Sequence, residues 1–76
     1  MAFDELITEV LAYIESNLEE KLTLDIVANQ FHMSKFYFHR IFAAFMGRSL
    51  NSYVAMRRLN AAVGLIKKKN MSLTDI

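Results

Sequence analysis

Cysteine and proline are both absent from this 76-residue chain, and glycine occurs only as Gly47 and Gly64. Without cysteine there is no disulfide, no thiol nucleophile and no common zinc knuckle. Without proline and with so little glycine, long helices are permitted and tight hairpins are scarce. An all-α fold follows. At this length a single core is only marginally stabilising, so each apolar face has to find a partner within one small domain. Histidine is scarce as well: His32 and His39 are the only two. The acids gather in the first helix, away from both. A catalytic centre needs a clustered nucleophile and base, paired carboxylates or metal ligands, so this is not the sequence of an enzyme and no metal or cofactor is expected. There is no basic segment followed by an apolar stretch at the N-terminus, and no run approaches the length of a membrane span. A soluble, cytoplasmic protein is the expectation.

What is present is unevenly distributed. The net charge is +1. Residues 1–30 hold seven acids (Asp4, Glu5, Glu9, Glu15, Glu19, Glu20 and Asp25) against Lys21, a balance of −6. Residues 31–76 hold eight bases (Lys35, Arg40, Arg48, Arg57, Arg58, Lys67, Lys68 and Lys69) against Asp75, a balance of +7. Such a split suits one-sided docking on a phosphate backbone. It is equally what helix dipoles favour, with acids near helix starts and bases near helix ends.

Apolar periodicity organises the chain into helices. Phe3, Leu6, Ile7, Val10, Leu11, Ile14 and Leu18 recur at the three-and-four spacing of one stripe, predicting a supporting helix from Phe3 to Asn17 or Leu18 within residues 1–20. Residues 22–47 read as helix, three-residue turn, helix. Thr23 caps the first of these, with Asp25 near its positive end, and Ser34 caps the second. Ile26, Val27 and Phe31 can face inward, and Ala28 is small enough for a close helix crossing. Gly47 ends the second helix in the left-handed conformation. Ser49 then caps a long linker helix over residues 49–69, whose stripe comprises Leu50, Tyr53, Val54, Ala61, Ala62, Leu65 and Ile66. A break at Asn70 or Met71 precedes Ser72-Leu73-Thr74-Asp75-Ile76, whose ending repeats the Asp-Ile of Thr23-Leu24-Asp25-Ile26. Residues 72–76 therefore read as the start of another helix-turn-helix.

The helix from Lys35 to Met46 carries the functional signal. At about 100° per residue, Ala43, Arg40 and His39 fall within about 60° of Phe36, while Phe38, Ile41, Phe42 and Phe45 gather at the opposite pole. One pole is core. The other places an aromatic ring, an imidazole and a guanidinium on a narrow stripe suited to a DNA major groove.

Taken together, Leu24-x-x-Val27-Ala28, Ser34-x-x-Tyr37-Phe38-x-Arg40-x-Phe42, Gly47-Arg48-Ser49, Tyr53, Arg57-Arg58-Leu59, Ala62, Leu65-Ile66 and Leu73-Thr74-Asp75-Ile76 resemble the DNA-binding domain of the AraC/XylS family of bacterial transcription regulators. The resemblance spans nearly the whole chain. It implies a homeodomain-like helix-turn-helix bundle of three to four helices. In that family two such units are joined by a long helix, and their recognition helices enter successive major-groove segments, so the chain resembles the first half of a double unit. The resemblance further implies sequence-specific binding of double-stranded DNA, with base contacts from Phe36, His39 and Arg40. A surface left open on the linker helix, with Leu65, Ile66, Leu73 and Ile76, would invite a homodimer.

Each candidate contact has a second reading. Arg40 can bind guanine bidentately or hold a phosphate, or else form a surface ion pair with an acid of the first two helices. His39 can donate to a base or phosphate, or be an ordinary exposed histidine. Phe36 can meet a thymine methyl, or fold back on Phe31 as core. Ser34 and Lys35 stand where backbone N–H groups and a positive dipole end favour phosphate, although capping alone accounts for Ser34. Tyr37 lies beside the stripe and can face either way. Arg48 and Arg57 can clamp the DNA backbone or hydrogen-bond to helix ends within the protein. Lys67 to Lys69 can be solvated caps or phosphate contacts, and His32 in the turn reads as structural or solvated. The rival function is a helical protein-interaction module presenting Phe36, Tyr37, Met33 and Met46 to a partner helix.

Overall fold

The computed structural model describes residues 2–68, and among these residues it has four helices and no strand: α1 (Phe3–Ser16), α2 (Leu24–Gln30), α3 (Lys35–Met46) and α4 (Leu50–Lys68). Lys69, the break at Asn70 or Met71 and residues 72–76 lie outside the described residues. Each of the last three helices starts on a hydroxyl cap that answers an otherwise orphaned N–H. Thr23 Oγ1 accepts from the Ile26 N–H at 3.1 Å, Ser34 Oγ from Tyr37 at 3.2 Å and Ser49 Oγ from Ser52 at 3.1 Å. Gly47 ends α3 at φ 71°, its N–H donating to the Ala43 carbonyl at 2.8 Å.

The turn between α2 and α3 is a Schellman-type stop built on a non-glycine residue. The Met33 N–H donates to the Ala28 carbonyl and the His32 N–H to that of Asn29, and His32 takes φ 58°. These are the paired closing bonds of that motif, with a left-handed residue at its corner. Two orphan carbonyls are satisfied, and the chain turns sharply from α2 into α3.

The core sits where the helices cross. Ile7, Val10 and Ile14 of α1, Val27 and Ala28 of α2, Phe38, Ile41 and Phe42 of α3, and Leu50, Tyr53 and Val54 of α4 are buried together with Leu22. Aromatic pairs at edge-favoured geometry tie the elements. Tyr13 meets Phe31 at 5.9 Å and Phe42 meets Tyr53 at 5.8 Å between ring centroids, both T-shaped. Three expectations of inward packing fail at the edges of this core. Ile26 is more than a third exposed, and Phe45, next to the last residue of α3, is half exposed and meets the equally exposed Phe3 edge-on at 6.3 Å. On α4 the stripe is buried only as far as Val54, whereas Ala61, Ala62 and Leu65 are exposed. A helix of 19 residues is about 28 Å long. Beyond Val54, Ala61 lines a surface recess together with Glu15 and Ser16 of α1 and the turn that follows α1.

Candidate nucleic-acid interface

The wheel of α3 is resolved into two faces. Phe38, Ile41 and Phe42 are buried, while Phe36, His39 and Arg40 are exposed. Phe36 is 78% exposed, and Phe31, its alternative partner in the core reading, packs on Tyr13. Tyr37 is about half exposed. Among the described residues Arg40 makes no ion pair and no side-chain hydrogen bond, and neither does His39. An unpartnered guanidinium beside an unpartnered imidazole leaves all their donors available to an external acceptor.

Around this stripe lies a shallow recess of about 510 Å³, lined by Thr23, Leu24 and Asp25 from the start of α2, by Lys35, Phe36 and His39 of α3 and by Asn51 of α4. Lys35 leans across it. Its Nζ is 3.9 Å from Asp25 Oδ1 and 5.4 Å from the centroid of the Phe36 ring. Ser34 caps α3 at the same edge. Asp25 and Asn51 were not singled out for this face by sequence, because neither lies on α3; only the crossing of α2 and α4 past its first turn brings them there.

The arginines divide by what holds them. Arg57 is bound through Nε to the Glu15 carboxylate of α1, the intramolecular role of the two open to it. That hydrogen bond, with the attraction of the same carboxylate, raises its pKa above the usual arginine value, so it stays cationic throughout the folded range. Arg58 reaches back to the turn that follows α1, donating from Nε to the Leu18 carbonyl at 2.9 Å and from Nη2 to the Glu20 carbonyl at 2.7 Å. Arg48 rests its Nη1 on Met56 Sδ at 2.9 Å, in an otherwise exposed position. Sequence periodicity places both Arg57 and Arg58 on α4's polar side but does not name their acceptors, which come from a segment some 40 residues earlier.

Among the described residues no group of three or more histidines or acids is placed to hold a metal ion, and no helix is long and apolar enough to cross a membrane. A short helix, a tight turn and a second helix with a polar, cationic outer stripe define a helix-turn-helix domain of the DNA-reading kind. The profile described as bacterial regulatory helix-turn-helix proteins, AraC family, matches residues 14–55, and the chain belongs to that family of DNA-binding transcription regulators. It is 39% identical over 71 residues to the uncharacterized HTH-type transcriptional regulator YfiF of Bacillus subtilis, covering 93% of this chain and 23% of that protein. It is 39% identical over 70 residues to the transposon Tn10 TetD protein of Escherichia coli (92% of this chain, 51% of TetD). To the probable transcription factor PqrA of Proteus vulgaris it is 35% identical over 75 residues, with 96% and 62% covered. The chain thus spans between about a quarter and two thirds of the length of these relatives. No solved structure matches it significantly.

Proposed function

We propose that this chain binds double-stranded DNA sequence-specifically in the bacterial cytoplasm, with α3 in the major groove, as a non-enzymatic unit of a transcription regulator. The observation that carries this reading is the division of α3: a face committed to the core by Phe38, Ile41 and Phe42, and an opposite face whose Arg40 and His39 have no side-chain partner among the described residues. In this arrangement Arg40 reads guanine O6 and N7 or holds a phosphate, His39 donates beside it, and Phe36 meets a thymine methyl. Ser34 and Lys35 bring the start of α3 to the backbone, with Tyr37 and Arg48 flanking. Arg57, bound to Glu15, orients α4 on α1 and stays off the DNA. One helix-turn-helix contacts few phosphates, so binding to an arbitrary duplex falls in the range of about 10⁻⁴ to 10⁻⁶ M at physiological salt. The exposed Leu59 and Leu65 of α4 support pairing with a second copy, which would present two recognition helices.

Fluorescence anisotropy of a labelled duplex at two salt concentrations tests the reading, with Arg40→Ala alongside. Binding that weakens steeply with salt, and weakens by roughly tenfold on Arg40→Ala while the melting temperature holds, is the expected outcome. An unchanged affinity in the variant would remove Arg40 from the interface. Binding that is indifferent to salt would point instead to an apolar protein partner.

A further inference from the structure

A carboxylate on the rim of a surface that meets a polyanion requires an explanation. Asp25 occupies the first turn of α2, where any acid is favoured by the helix dipole. The dipole accounts for an acid at that point. It does not account for the direction of the side chain, which points across the recess to the first residue of the next helix, 3.9 Å from Lys35 Nζ. The same ammonium lies over the Phe36 ring. Lys35 is thus held between two groups at the one position of α3 where a DNA phosphate is best received by backbone N–H groups and a positive helix end.

We propose that Asp25 is a brake on sequence-independent DNA binding: it occupies Lys35 so that this cation is exchanged to a phosphate only when the rest of α3 makes its base contacts. The inference rests on α3 being the DNA-facing helix. The physical basis is competition. Both partners of the pair are substantially solvated, with side chains 46% and 67% exposed, so the interaction is weak enough to exchange yet adds a penalty to any binding that uses Lys35. Phosphate contact is the common currency of specific and non-specific complexes, and base contacts belong to the specific one alone. A restraint on a phosphate-binding lysine therefore lowers non-specific affinity, where nothing offsets it. In the specific complex Arg40 and its neighbours offset the same loss.

Titrating a random-sequence duplex with the wild-type chain, Asp25→Asn, Lys35→Met and the double variant over a series of salt concentrations tests this. Two unit charges about 4 Å apart in water attract by about 1 kcal/mol, a factor of about five, so Asp25→Asn is expected to tighten non-specific binding by about three- to fivefold. The slope of log affinity against log salt should steepen by about 0.9, one further phosphate engaged. In the Lys35→Met background the same substitution should change affinity by less than about twofold. An equal gain in both backgrounds would mean that Asp25 acts only through its field on the DNA, and the brake would be wrong; so would an unchanged affinity in Asp25→Asn. Asp25→Ser, which keeps a polar helix start, guards against loss of α2 and should reproduce Asp25→Asn, with thermal melting showing both folded. If the wild-type chain itself fails to bind the duplex at low salt, the DNA-facing reading of α3 falls first and the brake with it. Wild-type binding with indifferent Asp25 variants overturns the brake alone.

Discussion

The two faces of α3 use similar residues for opposite ends. Phe42 and Phe36 sit on one helix, six residues apart, yet Phe42 is fully buried against Tyr53 and Phe36 is largely exposed on the outer stripe. What separates them is the phase of the helix relative to its neighbours. An aromatic side chain is energy for the fold on one phase and is left to solvent on the other. Truncating each exposes this most directly. Phe42→Ala is expected to cost about 3–5 kcal/mol, through lost burial and the cavity left behind. That is most of the stability of a domain this small, where 5 kcal/mol is near the lower end of the usual range, so the variant should be largely unfolded in urea at concentrations the wild type survives. Phe36→Ala should shift the urea midpoint by no more than about 0.5 kcal/mol equivalent while weakening the duplex titration. A large stability loss from Phe36→Ala would break the division between the faces.

The arginines repeat the contrast at smaller scale. Arg58 gives its N–H groups to the carbonyls of Leu18 and Glu20 and so fastens α4 to the turn that follows α1, whereas Arg40 has no such acceptor among the described residues. Arg58→Ala leaves two carbonyls to water at an exposed site, and is expected to lower stability by about 1–2 kcal/mol with the DNA titration unchanged once the protein is folded. This is the mirror image of Arg40→Ala. Chemical denaturation and anisotropy on the two variants therefore form one experiment, and an Arg58→Ala chain that stays folded but loses DNA affinity would show that the cations of α4 also reach the backbone.

How much of this was legible beforehand follows from what periodicity carries. The hydroxyl caps Thr23, Ser34 and Ser49, the left-handed Gly47 and the buried phase of α3 are properties of short stretches of chain, and they stand in the structure as the residues imply. Phase says which way a side chain points, not what it meets. Phe45 has the phase of core but sits at the end of α3, half exposed and edge-on to Phe3, and Ala61, Ala62 and Leu65 keep the apolar stripe of α4 beyond its buried part. The pairings of Lys35 with Asp25, Arg57 with Glu15 and Arg58 with the turn after α1 all depend on crossing geometry, which no local pattern encodes. The exposed face of α3 was therefore legible, and the rim of the recess beside it, where Asp25 and Asn51 enter from other helices, was not.

The angle at which α3 is offered depends on the turn, and there the smallest expected effect is the most informative. His32 holds φ 58° with its N–H bonded to the Asn29 carbonyl. A left-handed conformation costs an L-residue about 1–2 kcal/mol, with histidine among those that tolerate it better. Glycine removes that strain but loses about 0.5–1 kcal/mol through the greater freedom of its unfolded chain. The balance for His32→Gly is a net gain of up to about 0.5 kcal/mol, read as a small rise in urea midpoint at constant slope. His32→Val, β-branched at a positive φ, should lose at least about 1 kcal/mol at the same position. Both substitutions leave every residue of the α3 stripe in place, so DNA affinity should follow only the folded fraction. If His32→Gly were destabilising instead, the imidazole would be holding the turn through its side chain. If either folded variant lost DNA affinity out of proportion to its stability, the turn would count as part of the interface, and the separation between residues that build α3's setting and residues that use it would have to be redrawn at His32.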